Sequence, residues 1–406
     1  MKIKSLLVVN VKELLVMILL IASIQLNSLE YILPSFAIPF NVWMPIAVMI
    51  GFCCLFLLKR AKISRMTIYI SIYFIIMLIA TYLKKPSNVS HLFFQLAPIL
   101  AITLITEYFM RRSPDAYIRG AMKLLVALII IDLITIFLFP NGLYVTPSYT
   151  DNWFLGYKTA RVRLATMPVV MYAAVYSLRK NNKLDIKFWI ISFLAMLDTF
   201  LSKNTGGVLC ILGFNLILWF IYFSKSEKMR EKALKVMNFR LIVIIILIIT
   251  VIVNVAQNLS LFDIFMSNSD EKAITLLART RIWSVCLDLF NQSPILGNGY
   301  ITSDVFVDLV GFSEATQPHS LLMAILVYTG IIGAIVFLFI INRVFSYGKN
   351  NSVTSASVVC KAYIICFLLQ GIISMHLFAQ FFYAGFVMAY YLPKIDKANS
   401  RLPNPN

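Results

Sequence analysis

The stretch LLMAILVYTGIIGAIVFLFII, Leu321 to Ile341, contains no charged residue. At 1.5 Å per residue, about 20 such residues cross a hydrocarbon core roughly 30 Å thick. Runs of the same kind recur on both sides of it. Approximate windows are 14–33, 36–58, 66–83, 90–110, 121–139, 164–178, 186–201, 206–223, 240–258, 319–342, 357–374 and 376–392. The chain has 406 residues, 60% of them hydrophobic and 13% charged. A soluble domain carries roughly 45–50% apolar and about 25% charged residues. The sequence therefore predicts an all-α polytopic membrane protein with about twelve transmembrane helices. The windows 164–178 and 186–201 are short enough to be tilted, kinked or re-entrant, and the last two windows are separated only by a turn near Ser374–His376. There is no room for a sizeable soluble domain. Residues 1–258 hold spans one to nine, 259–318 a long loop, and 319–406 spans ten to twelve with a polar tail. No cleavable signal peptide is expected, because the first apolar run lacks a small-residue cleavage site.

Charge sets the expected orientation. With the N-terminus inside, 27 of the 36 Lys and Arg residues fall in cytoplasmic segments and 9 outside. Such an excess marks the cytoplasmic side. The reading is thus a multi-pass inner (cytoplasmic) membrane protein with both termini cytoplasmic and a long extracytoplasmic loop between spans nine and ten. The net charge of +18 is mainly topogenic, with affinity for anionic lipid headgroups. The basic residues are divided among many short loops, so no nucleic-acid surface is expected.

Nucleotide- and metal-dependent chemistry finds no support. There is no P-loop, no GxGxxG, no nucleophile elbow and no metal-ligand spacing. Five of the six cysteines (Cys53, Cys54, Cys210, Cys360, Cys366) fall in spans; Cys286, in the loop, has no evident disulfide partner there.

The cations left outside are clustered. Arg161 and Arg163 open span six, Lys203 opens span eight, and Arg279 and Arg281 lie in the long loop. An anionic ligand at the lipid boundary suits them, arginine matching phosphate oxygens with a planar fork of donors. Snorkelling to headgroups is the plain alternative. In Leu276–Phe290 the residues Ile282, Val285, Cys286 and Leu289 follow helical spacing, predicting an amphipathic helix along the membrane surface with Trp283 at the interface. On that helix Arg279 and Arg281 are about 200° apart in projection. Arg279 shares a face with Trp283 and Cys286, so the two arginines do not both enter one pocket. Pro294, Gly297 and Gly299 mark a turn. Pro318 suits a first helical turn, which puts His319 in the start of a helix, where backbone N–H groups favour an anion. His319 is otherwise an ordinary boundary residue.

Arg279-x-x-x-Trp283, Pro294-Ile295-x-Gly297-x-Gly299, His319-Ser320-x-Leu322 and Gly330-x-x-Gly333 together resemble the signature block of the O-antigen ligase and polymerase superfamily. Ser320 stands where that family has asparagine. The segments Phe139–Tyr144 and Asn152–Gly156 resemble Wzy-type capsule and exopolysaccharide polymerases. Leu201–Gly207 is similar to the family's Ser-Arg/Thr-Gly stretch, with Lys203 where arginine is common.

The resemblance implies a GT-C-like membrane glycosyltransferase. Donor and acceptor would be oligosaccharides on undecaprenyl diphosphate, polymerised without nucleotide, cofactor or obligatory metal. The partners it implies are a flippase and a chain-length regulator. It also implies roles: Arg279 neutralises the leaving diphosphate, Arg161 or Arg163 forms a second clamp, and Lys203 and Arg281 add positive charge. His319 takes the proton of the attacking hydroxyl or hydrogen-bonds the diphosphate. Glu314 or Asp304 is an alternative base, although each reads first as solvated loop charge. Trp153, Tyr157 and Tyr300 read as interface anchors ahead of sugar-stacking rings. Three readings compete with polymerisation: ligation of finished glycan to another acceptor, flipping of a lipid-linked glycan, and a purely structural membrane subunit. A transporter should carry polar groups at mid-membrane depth, where Asp132 and Asp198 are the obvious acids.

Overall fold

A computed structural model describes residues 10–24, 26, 28–35, 63–146, 149–174, 184–223, 237–258, 271–311, 315–346, 355–372 and 374–399. The predicted span 36–58 lies outside them. The helices are α1 (Val11–Ser23), α2 (Arg65–Lys84), α3 (Val89–Arg112), α4 (Pro114–Leu138), α5 (Lys158–Tyr172), α6 (Ile186–Leu201) and α7 (Thr205–Phe223). They continue as α8 (Phe239–Asn258), α9 (Glu271–Gln292), α10 (Ser303–Val310), α11 (Leu321–Ser346), α12 (Ser355–Gln370) and α13 (Gln380–Asn399). Among the described residues four segments are long and apolar enough to cross a membrane: Arg65–Lys84, Pro86–Arg112, Pro114–Leu138 and Leu321–Ser346. Their outward faces stay apolar; Ile75, Ile134, Phe137 and Phe339 are exposed, as a lipid-facing surface requires and a water-facing one does not tolerate over such an area. This is a membrane protein with a helical body.

The core is built by neighbouring and crossing pairs. α2 packs on α11, α3 on α13, α1 on α4, and α5 on both α4 and α6. One buried acid ties helices together near the C-terminal end of α3. Glu107, near the end of α3, is fully buried and accepts from Ser64 N–H (3.0 Å), Ser64 Oγ (2.7 Å), Thr67 Oγ1 (2.8 Å) and Tyr391 O–H (2.6 Å). Those donors join α2, α3 and α13. Glu107→Ala would orphan them in a dry site, and is expected to cost more than about 3 kcal/mol. Thermal unfolding in detergent checks this, and a melting temperature equal to wild type would rule the lock out.

Several elements depart from the one-dimensional reading. The window 14–33 is two pieces: α1 ends at Ser23, Ile24 is extended (ψ 119°), and a separate helical turn occupies Ser28–Ile32. The window 164–178 starts earlier, at Lys158, and carries Pro168 inside its helix. Between α4 and α5 lies an unpredicted three-stranded antiparallel meander: β1 (Tyr144–Thr146), β2 (Tyr149–Trp153) and β3 (Gly156–Tyr157). Buried Asp132 ties it to α4, accepting from Leu155 N–H at 2.7 Å. Trp153 is buried and donates its ring N–H to Phe139 O at 2.7 Å. Trp153 is therefore a strap within the protein rather than an interface anchor.

The predicted amphipathic helix exists as α9 and is longer than Leu276–Phe290. Ile282, Cys286 and Leu289 are buried as their spacing required. Trp283 corrects the surface placement. It is 1% exposed, and its ring N–H donates to Pro318 O at 3.1 Å. An indole N–H inside a protein needs an acceptor, and this one finds it in the segment leading to α11. The apolar face of α9 thus packs on α11 and α8 rather than on lipid.

Candidate functional site

The signature turn is where the tertiary structure is tightest. Gly330 breaks α11 with φ 59° and ψ −159°, a conformation essentially reserved for glycine. The break frees backbone groups in the middle of an apolar helix, and the 294–299 turn supplies their partners. Ile331 N–H donates to Pro294 O (2.9 Å) and Ile332 N–H to Ile295 O (3.2 Å). In the other direction Asn298 N–H donates to Val327 O (2.7 Å) and Gly299 N–H to Tyr328 O (3.2 Å). Irregular backbone at membrane depth is tolerated only when protein or a cavity satisfies it. Gly330 is nine residues past Leu321, so the turn reaches about 14 Å along α11. Two glycines allow the approach. A Cβ on Gly297, which has φ 79°, would sit 2.5 Å from Thr329 N; one on Gly330 would sit 2.5 Å from Ile295 O.

From this interlock the chain continues as Gly299-Tyr300-Ile301. Tyr300 N–H donates to Thr81 Oγ1 at 2.8 Å and Asn88 Nδ2 donates to Tyr300 O at 3.0 Å, fixing the segment to the α2–α3 connection. The Tyr300 ring meets Phe378 edge-on at 5.6 Å and Tyr328 at 6.0 Å. Burial raises the phenol pKa of Tyr300 above its ordinary value, so the hydroxyl stays neutral. Tyr300 lines a cavity of about 260 Å³ together with Tyr328, Phe378 and three glutamines, Gln95, Gln317 and Gln380. Leu155 of the meander and Leu164 of α5 close another side. The anchor reading of Tyr300 gives way to a place in a cavity wall.

Arg279, Arg281, Lys203, His319 and Asp304 are not among the described residues that line this cavity. Arg279 is half-buried on α9, one turn before Trp283, and burial lowers its pKa from the ordinary value. Trp283 in turn holds Pro318, the residue before His319. His319 is half-buried, but it precedes α11 and has φ 50°. It is not inside a helix start, which corrects the expectation from Pro318. Left-handed backbone at a non-glycine residue is strained. Two hydrogen bonds hold its flanks: the indole to Pro318, and Leu321 N–H to Gly371 O at 2.7 Å.

Arg281 is exposed on the opposite side of α9, with its guanidinium over Gly311, as the 200° projection required. Lys203 is exposed at the α6–α7 turn. Residues 161 and 163 lie in α5, whose next residue, Leu164, lines the cavity. Glu314 lies outside the described residues. Asp304 is exposed in the first turn of α10. Cys286 is free and buried, and burial pushes its thiol up to about 12, which keeps it protonated and inert.

Lys203 also carries backbone strain, with φ 59° at a position after α6 where glycine is the common choice. Lys203→Gly is expected to stabilise the protein by about 1 kcal/mol, and Lys203→Ala, which keeps the strain, is not. Parallel thermal melts of the two variants decide this, and equal melting temperatures would sink it.

The three cavity glutamines were missed from sequence. The available signals were a glutamine in an otherwise apolar span (Gln95) and one beside the Pro318-His319 pair (Gln317). Neither points to a shared cavity without the fold.

No curated protein matches this chain. Residues 190–338, just over a third of the chain, match the family model described as O-antigen ligase. That segment runs from α6 into α11 and contains Arg279, Trp283, the 294–299 turn, His319 and Gly330, so the part of this membrane protein similar to O-antigen ligases is the part that builds the interlock and one wall of the cavity.

Proposed function

We propose that this protein polymerises undecaprenyl-diphosphate-linked oligosaccharide repeat units into a surface polysaccharide at the outer face of the cytoplasmic membrane. The observation that carries the reading is the O-antigen ligase match across residues 190–338, a segment that holds the half-buried Arg279 and supplies Tyr300, Gln317 and Tyr328 to the cavity wall. In the reaction, an acceptor sugar hydroxyl attacks the anomeric carbon of the donor glycan. The anomeric C–O bond to diphosphate breaks, the new glycosidic bond forms, and undecaprenyl diphosphate leaves with the electron pair. Arg279 stabilises the charge that grows on the leaving group, as preorganised donors do. His319 receives the hydroxyl proton or hydrogen-bonds the diphosphate. Arg161 or Arg163 is the second clamp, while Lys203 and Arg281, both exposed, contribute only a screened field. Glu314 is the alternative base. The twelve-span topology, with both termini cytoplasmic and 259–318 outside, belongs to the same proposal, as do a flippase and a chain-length regulator as partners.

The matched family's name favours a second reading, ligation of a finished glycan to a different acceptor. One experiment separates the readings. Lipid-linked glycans are compared by gel ladder and mass spectrometry in cells lacking the gene and in cells restored with wild type, His319→Ala or Arg279→Ala at matched membrane levels. Polymerisation predicts single repeat units and no ladder in the null and both variants. Long lipid-linked chains that never reach their final acceptor mean ligation. Repeat units trapped on the cytoplasmic leaflet mean flipping, and normal ladders in the variants remove Arg279 and His319 from the site.

A further inference from the structure

We infer that the cavity between α3, the Tyr300–Ser303 segment and the start of α13 is a subsite for a single uncharged sugar ring, separate from the cations that would meet the diphosphate. The inference rests on the glycan-transfer reading and deepens it.

The lining is chemically specific. Gln95, Gln317 and Gln380 come from three distant parts of the chain and converge on one space. Each amide presents both a carbonyl acceptor and an N–H₂ donor, the combination that satisfies sugar hydroxyls, which donate and accept at once. Ser303 and Thr316 add hydroxyls. Tyr300 and Phe378 meet edge to face, so the wall offers aromatic surface to the apolar C–H side of a ring.

Among the described residues lining the cavity there is no Asp, Glu, Lys, Arg or His. A phosphate or a uronate carboxylate entering it would meet no counter-charge from these residues to offset the water it loses, which disfavours an anion. A purely apolar occupant, such as a prenyl chain, would leave the amides unpaired. The volume, about 260 Å³, falls just below the roughly 300–1,000 Å³ usual for small-molecule sites. That size suits one ring rather than a whole repeat unit. On this reading Arg279 serves the lipid diphosphate, and the cavity reads the neutral sugar.

The test is saturation-transfer NMR on the full-length protein in lipid nanodiscs. Probes are the methyl glycosides of glucose, galactose, mannose and N-acetylglucosamine, against methyl glucuronide and methyl galacturonide. At least one neutral glycoside should take saturation about fivefold above either uronide. Gln95→Leu and Gln380→Leu should each remove most of that signal at an unchanged melting temperature. Where a leucine variant melts early, the same-sized Gln95→Glu or Gln380→Glu replaces it, with the same loss expected. Equal saturation by uronides, no saturation by any neutral glycoside, or a signal that survives both substitutions would overturn the inference. The two readings fail separately. Neutral saturation in a protein whose deletion leaves lipid-linked glycans unchanged sinks transfer and keeps the sugar site. A lost ladder on deletion, with the glutamine variants binding as wild type, does the reverse.

Discussion

Gly330→Ala is expected to prevent accumulation of folded protein, with a loss exceeding about 4 kcal/mol, in the range that marks backbone or core failure. Its conformation is closed to an L side chain, and the added Cβ would lie 2.5 Å from Ile295 O and 2.7 Å from Gly297 N. Neither neighbour is the movable end of a side chain; both are backbone of the 294–299 turn. Relief would mean withdrawing that turn, which breaks the four backbone hydrogen bonds that repair the gap in α11. Gly297→Ala should fail in the same way, because its Cβ would meet Thr329 N at 2.5 Å and Tyr328 C at 2.6 Å. Gly213→Ala in α7 is the control. There the nearest atom is Cys366 Sγ at 3.8 Å, an ordinary contact, and replacing a helical glycine by alanine gains about 0.5–1 kcal/mol. Size-exclusion profiles and melts of the three variants test this; a Gly330→Ala protein that runs and melts as wild type would show that the interlock does not hold the helix.

Arg279→Ala is expected to lower glycan transfer by about 10²–10³-fold, the usual effect of removing one preorganised charge stabiliser. Arg281→Ala, two residues away, should change the rate less than about threefold, because an exposed charge is screened by solvent. The contrast follows from α9: one arginine is turned toward the Trp283 side and desolvated, the other lies in the open over Gly311. Arg279→Lys should recover only part of the rate, since an ammonium has no planar fork for phosphate oxygens. Although burial lowers the pKa of Arg279, guanidinium stays protonated at physiological pH. This residue therefore adds no pH dependence between about pH 6 and 9. The measurement is the initial rate of transfer from a lipid-diphosphate donor in proteoliposomes, with protein levels matched. Equal losses from the two alanine variants would remove Arg279 from the site.

These expectations draw on two kinds of information. Hydropathy and helical spacing are local properties, and they located most of the described helices: the window 186–201 coincides with α6, 66–83 and 90–110 lie within α2 and α3, and the buried stripe of α9 was legible as Ile282, Cys286 and Leu289. The opposed faces of Arg279 and Arg281 followed from 3.6 residues per turn alone. The sequence by itself thus determined a helical membrane protein, the elements that carry its cations, and a glycine-marked turn before a long apolar run. The partner of that turn was decided only in three dimensions. The bonds between 294–299 and the break in α11 are backbone to backbone, so apart from the permissive glycines no side-chain type encodes them. Tertiary structure also put Trp283 inside the protein by giving its N–H an acceptor, moved His319 out of the helix into a left-handed conformation, and gathered Gln95, Gln317 and Gln380 around one cavity. Their convergence depends on packing among α3, α11 and α13, and periodicity along one chain carries no record of which helices pack together.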